Sequence, residues 1–394
     1  MPVRESLVIG SDHQNTLGVI RALGSQGIIV HTVIFGSKEK KPLCFHSKYC
    51  RGKKVSIQES EQALLDFLLS WHGGIIPIIP TSDFAAMCID LHFDVLSEKF
   101  LLPSIAKKQR LICEYMDKYK QIELAQSYNI RMAKSIVAEL DKDEKTIFDK
   151  VASSIGYPCI MKPRISAKGN KTDIKRIESE SGLAEAINYY RQKKYNEILI
   201  QEFVFKKNEL CCFGCITENS RKAYFGTLKK IRYYPYEAGA SLSFACFTKN
   251  EKMIYNVIDL LTDIGYSGLF DFELLETDEG DYLLNEINFR NSGNTWALVK
   301  NGLNIPYIWV SDAEGEEISL AKSEEVFEDE KYFMNETSDI HHVYDRRISA
   351  SSWIADLLHT SAFNKMWIKD LSGTIPWYWQ MISQKCGRNK VKKS

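Results

Sequence analysis

Apolar and polar positions along this chain switch between the period of a strand and that of a helix, and the switches divide it into elements. Ser6 to Gly10 is a short apolar run ending on glycine, and Leu17, Ile20 and Leu23 recur at helical spacing behind Ser11 to Asn15. Gly24 and Gly27 close that helix before a second strand, Ile28 to Phe35. A further strand, Ile75 to Ile79, ends at Pro80-Thr-Ser-Asp83 ahead of another helix. Strand, helix, strand in this order predicts a doubly wound sheet. Helices are expected over Gln109 to Asn129 and Thr146 to Ser154, and strands over Cys159 to Lys162 and Ile198 to Val204, with Glu209 opening the next. Gly268 to Gly293 reads as two strands joined by the polar turn Thr277 to Gly280. Beyond residue 310, Asp312 to Asp329 is acidic and helical or loose, Trp353 to Met366 has helical spacing, and Ile375 to Met381 is rich in aromatics.

Length changes this picture by requiring two or three domains, since 394 residues exceed one ordinary core. Charge removes one class of partner: 51 basic residues balance 51 acidic ones, so bulk electrostatics makes no case for nucleic acid. The ten cysteines are scattered through apolar runs with no secretory signal ahead of them, which points to a reduced, cytoplasmic protein. Cys211, Cys212 and Cys215 are the one cluster, but on a strand they would alternate faces, and no second pair or nearby histidine completes a zinc site. No apolar run is long enough to span a membrane.

Candidate chemistry concentrates in the hairpin near residue 280. Glu273 in its first strand and Glu286 and Asn288 in its second would bring two carboxylates and an amide oxygen together, an oxygen-rich site suited to Mg²⁺. Arg290 follows, a planar cation able to grip phosphate or carboxylate. In the N-terminal sheet, Ser11, Asp12, Asn15, Ser82 and Asp83 lie on loops at the carboxyl ends of strands, where they either hold a ligand or cap helices. The GxGxxG fingerprint of dinucleotide sites is missing after Gly10. Lys162 ends a strand before a short basic loop, Arg164 to Lys171, which has the backbone freedom and donors of a phosphate-covering flap. Lys229 to Pro235 is a cationic run with interleaved aromatics ahead of the flexible segment Glu237 to Ser241.

In this order and spacing the motifs resemble those of the ATP-grasp superfamily, over roughly residues 1 to 310. Met116-Asp-Lys118 and Tyr157 to Pro163 resemble the segments that carry its two nucleotide lysines, here Lys118 and Lys162. Leu199 to Val204 resembles the adenine-binding segment, with Glu202, Phe203 and Val204 at the hinge. Glu209, seven residues after Glu202, falls where the family places its ribose acid, and Glu273 lies thirteen residues before Glu286, matching the metal-bearing pair. Asn285 to Arg290 resembles the closing ExNxR, with Phe289 where proline is common, and the flap has one glycine where several are usual. Lys230 to Gly239 and Asn288 to Trp296 look most like the carboxylate-amine ligase group that includes D-aspartate ligase.

The resemblance implies an α/β (α+β) architecture: a Rossmann-like pre-ATP-grasp domain over 1–105, an ATP-grasp domain over 106–310 and a C-terminal helical extension over 311–394. It implies an ATP-dependent ligase that activates a small carboxylate as an acyl phosphate and joins it to an amine, in cell-envelope or polysaccharide biosynthesis. ATP and two Mg²⁺ ions, with Mn²⁺ as a substitute, are the implied cofactors. Glu273, Glu286 and Asn288 would hold metal; Lys118, Lys162, Glu202, Phe203, Val204 and Glu209 would hold nucleotide. Arg290, Arg232 and Lys230 would meet the reacting groups, Arg232 with Lys229 or Lys230 steadying the acyl phosphate. The alternative is a nucleotide-responsive binding protein or membrane-surface scaffold. The aromatic and basic tail, 375–394, either docks on the ligase domain or lies on the inner face of an anionic membrane, and a homodimer stands as an alternative to a monomer.

Overall fold

A computed structural model describes residues 4–36, 39, 41–165, 173–236, 241–316 and 331–391, with side chains to residue 383. The expected flap and the segment Glu237 to Ala240 lie mostly or wholly outside the described residues, as does most of the acidic stretch after Asp312. Five strands form the N-terminal sheet: β1 (Glu5–Ser11), β2 (Ile29–Phe35), β3 (Lys54–Ile57), β4 (Ile76–Pro80) and β5 (Phe100–Leu101). They are all parallel, in the order β3-β2-β1-β4-β5, the doubly wound topology expected. β1, β2 and β4 are mostly apolar and buried along nearly their whole length because helices cover both faces. The order reverses between β1 and β4, where such sheets open a crevice. The two strands approach closely at that point: a Cβ on Gly10 would lie 2.0 Å from Thr81 Oγ1, so the position takes glycine.

β6 (Ser104–Ile105) leads out of this domain and pairs with a strand of the third sheet. The helix expected over Gln109 to Asn129 is two helices, Leu111–Tyr115 and Lys118–Ser127. Asp117 breaks it, because its carboxylate accepts from the Tyr119 amide at 2.9 Å and serves as N-cap of the second helix. A second sheet of four antiparallel strands follows: β7 (Ser135–Glu139), β8 (Cys159–Lys162), β9 (Lys175–Ile177) and β10 (Glu197–Glu202), in the order β7-β10-β8-β9. The helices Glu144–Ser154 and Glu180–Gln192 close a core of their own against it through Ile147, Val151, Leu183 and Ile187.

The third sheet contains β11 (Lys206–Ile216), β12 (Ala223–Tyr234), β13 (Ser241–Thr248), β14 (Tyr266–Thr277), β15 (Tyr282–Asn288), β16 (Tyr332–Met334) and β17 (Thr360–Phe363), ordered β15-β14-β11-β12-β13-β16-β17. Its two faces sort the cysteine cluster as alternation requires. Cys211 and Cys215 join a core shared with Val8, Leu17 and Leu23 of the N-terminal domain, while Cys212 faces the core of Phe270, Phe272 and Ile287. The first core therefore fuses the two domains through apolar packing.

The C-terminal part is chiefly helical, as expected, and adds two short strands. It is not wholly helical, since β16 and β17 extend the third sheet, and the helical reading of Trp353 to Met366 gives way to a helix, Ala350–His359, followed by β17. Thr360 to Phe363 pairs with β16, so tertiary pairing overrides local spacing there. The last helix, Leu371–Val391, contains the aromatic run and buries Trp377. Arg21, fully buried in the first helix, donates from Nε to Asp370 Oδ2 at 2.8 Å and from Nη1 to Lys365 O at 2.8 Å, pinning this segment to the N-terminal domain. The docked alternative thus describes the start of the tail.

Candidate active site

Side-chain alternation builds the site on one face of the third sheet. Asp271 and Glu273 stand two residues apart in β14, opposite Asn288 and Glu286 of β15, so all four project from the same face while Phe272 and Ile287 fill the core behind. The register shifts after Glu273, leaving Asn285 as the extra residue of a bulge, and its Nδ2 reaches Glu273 Oε2 at 3.5 Å. β11 supplies Glu209 and β12 supplies Lys230 to the same face. Lys230 is nearly inaccessible and donates to Glu209 Oε2 at 2.6 Å and Glu273 Oε1 at 2.9 Å, linking the expected ribose acid to an expected metal acid. Lys206 also bonds Glu209.

Lys118 opens the helix Lys118–Ser127, and Lys162 ends β8 of the second sheet. Asp117 accepts from Arg164 Nη2 at 2.5 Å, and the Lys118 amide donates to Arg164 O at 2.9 Å, which ties the start of the helix Lys118–Ser127 to the end of β8. Gln121 locks the same helix onto the sheet: its Nε2 donates to Ile287 O at 2.7 Å and its Oε1 accepts from the Ile287 amide at 2.9 Å, in place of a further strand beside β15. Lys118 Nζ consequently stands 3.6 Å from Glu286 Oε2. A narrow crevice lies among Asp83, Met116, Lys118, Gln121, Glu286 and Asn288.

The electrostatics of this group show what it lacks. Burial, and then repulsion from Lys118, lower the Lys162 pKa to about 8, although Glu286 and Glu273 pull the other way. Among the described residues no carboxylate comes within ion-pair distance of Lys162 Nζ. Burial opposes ionisation of Glu286, yet Lys118, Lys162 and Arg290 together hold its pKa below the ordinary value. Glu273 is shifted upward by burial and by Glu209 and Glu286, against the pull of Lys230. Glu209 is buried too, but Lys230 and Lys206 outweigh that and lower its pKa. Two close cations with one shared carboxylate form a natural seat for a polyanion.

Arg290 links this group to the N-terminal domain. Its Nε donates to Asp83 Oδ1 at 3.0 Å and its Nη1 lies 3.3 Å from Asp271 Oδ2. Burial works against its charge, but Asp83, Asp271 and Glu286 raise its pKa further. Of the other N-terminal loop candidates, Ser82 caps a helix through the Ala85 amide, and Asp12 accepts from the amides of Leu43 and Cys44. Asn15 reaches across, donating to Thr81 O at 2.9 Å and Asn291 O at 2.7 Å, so Asn291 sits at the β1–β4 crevice.

The expected adenine segment lies at the end of β10. The Glu202 carboxylate accepts from the Lys134 amide at 2.9 Å, so its side chain clasps neighbouring backbone, and a ligand would meet Glu202 through its main chain. The Phe203 amide donates to Pro158 O at 3.2 Å, and the Phe203 ring is covered by the Arg176 guanidinium 4.0 Å from its centroid. Val204 follows, leading toward β11.

Arg232 is ion-paired with the C-terminal part. Its Nη2 donates to Asp339 Oδ2 and its Nη1 to Asp356 Oδ2, both at 2.7 Å, and Phe244 covers its guanidinium at 4.3 Å. Its charge is matched by two carboxylates of the C-terminal part, which brace it against that segment. Lys229 projects from the opposite face toward Glu276, 3.2 Å away. Sequence reasoning missed Asp271, Asp117, Arg164 and Gln121. Only Asp271 carried a readable signal, standing two residues before Glu273 on the same strand face.

The donors fit a hard cation. Glu273 and Glu286 offer carboxylate oxygens, and because Asn288 Nδ2 donates to Asp271 Oδ1 at 2.6 Å, its carbonyl oxygen is left for a ligand. Among the described residues no three His, Cys, Asp or Glu side chains gather as a metal-binding group, so phosphate oxygens and waters would complete the shell.

Residues 123–300 match the family model described as the ATP-grasp domain. The chain contains an ATP-grasp domain. Solved structures agree in fold along more of its length. The ADP complex of N5-carboxyaminoimidazole synthetase from Staphylococcus aureus superposes with a TM-score of 0.65 at 16% identity, covering 88% of this chain and 86% of that one. The biotin carboxylase domain of the Hydrogenobacter thermophilus 2-oxoglutarate carboxylase, solved with MgADP, ADP and bicarbonate, gives 0.64 at 17%, covering 84% and 74%. N5-carboxyaminoimidazole synthase from Aspergillus clavatus, with ADP and its aminoimidazole ribonucleotide, gives 0.62 at 14%, covering 82% and 79%. At these identities the likeness is one of fold. No curated protein sequence matches the chain.

Proposed function

We propose that this ATP-grasp protein is an ATP-dependent carboxylate-amine ligase. The observation that carries the reading is the convergence of Lys118 and Lys162 on Glu286, with Glu273, Asn288 and Arg290 alongside. ATP would supply the phosphoryl group and Mg²⁺ its charge neutralisation, with Glu273, Glu286 and Asn288 holding the metal. Lys118 and Lys162 would hold the phosphates, Glu209 the ribose hydroxyls, and the main chain of Glu202 and Val204, with Phe203, the base. A substrate carboxylate oxygen would attack the γ-phosphorus as the bond to ADP breaks. An amine would then add to the carbonyl carbon of the resulting acyl phosphate, expelling phosphate and losing a proton. Arg290, fixed on two sides by Asp83 and Asp271, would neutralise charge on the acyl phosphate. Lys230, already shared between Glu209 and Glu273, would join nucleotide and metal ends of the site.

The test is ADP release with candidate carboxylates and hydroxylamine as acceptor. Acidic amino acids, including D-aspartate, belong in the panel because of the motif resemblance. Bicarbonate belongs there because one structural neighbour was solved with that anion, and its signal would be bicarbonate-dependent ADP release with an amine. Absence of ADP formation with every carboxylate, together with no thermal stabilisation by ATP and Mg²⁺, would overturn the reading.

A further inference from the structure

The last helix presents apolar residues on two faces, and only one of them is covered. Trp377 and Thr374 are buried against the body of the protein, and Tyr378 donates to Glu336 Oε1 at 2.9 Å. On the other side Leu371, Ile375, Trp379 and Ile382 are 48%, 59%, 71% and 50% exposed. Their spacings of four, four and three residues place them in one stripe along the helix. Ile368, 80% exposed, stands just before the helix begins. A soluble surface does not ordinarily align four large apolar side chains, one of them tryptophan, toward water.

Charge identifies what suits the stripe. No Asp or Glu follows Asp370, whereas Lys385, Arg388, Lys390, Lys392 and Lys393 do. The chain as a whole is neutral, so the remainder carries an excess of five acidic residues and the terminus is a local positive pole. An apolar stripe containing an exposed tryptophan and continuing into a basic run matches an interface that is apolar within and anionic at its surface. No helix among the described residues is long and apolar enough to cross a membrane, so the contact is one of lying on a surface.

We propose that the outer face of the helix Leu371–Val391 docks on an anionic lipid bilayer, with Trp379 and its neighbours entering the interfacial layer and the basic terminus meeting lipid headgroups. The buried Arg21–Asp370 pair just ahead of the helix fixes the catalytic body relative to that surface. The proposal does not depend on the ligase reading.

Flotation of the full chain with phosphatidylcholine vesicles, with and without phosphatidylglycerol, tests it. Binding is expected only with the anionic lipid and is expected to weaken with added salt. The triple variant I375S/W379S/I382S, with circular dichroism and ATP-induced thermal stabilisation unchanged, is expected to lose flotation. K385Q/R388Q/K390Q is expected to weaken it by roughly 5-fold for each charge removed. No flotation, or equal flotation with neutral vesicles, would overturn the proposal. So would a dimer of the parent protein that the triple variant turns into monomer, since a second copy of the chain would then cover the stripe.

Discussion

Arg290 Nε donates to Asp83 Oδ1 at 3.0 Å, joining the last motif of the ATP-grasp domain to the carboxyl end of β4 in the N-terminal domain. With Asp271 near Nη1, the guanidinium is held along two edges. On the proposed mechanism this fixes where its remaining donors point, so Asp83 is a positioning residue that acts through Arg290. Asp83→Asn is expected to lower kcat by about 10- to 100-fold, the order that a displacement of about 1 Å imposes on an aligned group. The KM for ATP is expected to change little, and Asp83→Glu to recover part of the loss. Steady-state kinetics measures both, and an equal fall in ATP affinity would show that Asp83 serves nucleotide binding instead.

Lys162 links nucleotide binding to pH. Its folded-state pKa is lowered from 10.5 to about 8, so between those values the unfolded chain binds more protons than the ligand-free fold. Stability of the ligand-free protein is therefore expected to rise with pH across that window, as far as this group is concerned. A bound polyphosphate would favour the charged lysine, so binding should take up a proton and weaken as pH rises above about 8. Thermal unfolding with and without ATP and Mg²⁺, followed across this range, measures both trends. Lys162→Met should abolish the rise in ligand-free stability and most of the stabilisation by nucleotide.

Lys118, Lys162 and Arg290 stabilise the ionised Glu286, which faces Glu273 across the hairpin. Glu286→Gln keeps its shape and removes the charge. Turnover that depends on Mg²⁺ is expected to fall by roughly 100-fold or more, the scale of losing one preorganised electrostatic group. The circular dichroism spectrum is expected to stay unchanged. Retained Mg²⁺-dependent activity would remove Glu286 from the metal site.

These residues divide according to whether their partners are near in sequence. Glu273, Glu286 and Asn288 could be read because a hairpin's period of two brings them together with no knowledge of the rest of the fold. The parallel N-terminal sheet was legible for a similar reason, since its buried strands carry short apolar runs. The partners of Arg232 could not be read, because Asp339 and Asp356 lie more than a hundred residues later in the chain and only the fold brings them to it. Asp117 looked like an interior helix residue, and only its bonds to the Tyr119 amide and to Arg164 explain why the helix restarts at Lys118. β17 was hidden because a four-residue edge strand draws its stability from pairing with β16, which no local pattern encodes.

The Arg21–Asp370 pair supplies a stability prediction that is independent of catalysis. Both side chains are fully buried, and Asp370 also accepts from Ser47 Oγ at 2.7 Å and from the Lys48 amide at 3.0 Å. Arg21 stands besides within 5.8 Å of the Trp296 ring and 5.7 Å of the Trp367 ring. Burial lowers the Arg21 pKa, and Asp370 offsets that loss only in part. Removing one partner leaves the other charge in an apolar surround, so Arg21→Met is expected to destabilise the protein by about 3–5 kcal/mol. Adding Asp370→Asn should recover part of that loss, because the uncompensated charge disappears while the amide oxygen can still accept from the Lys48 amide and Nδ2 can donate to Ser47 Oγ. Urea unfolding of the two single variants and the double variant measures the coupling. Additive effects would show that Arg21 stabilises the fold through its stacking on Trp296 and Trp367 and its bond to Lys365 O, with no net contribution from the charge pair.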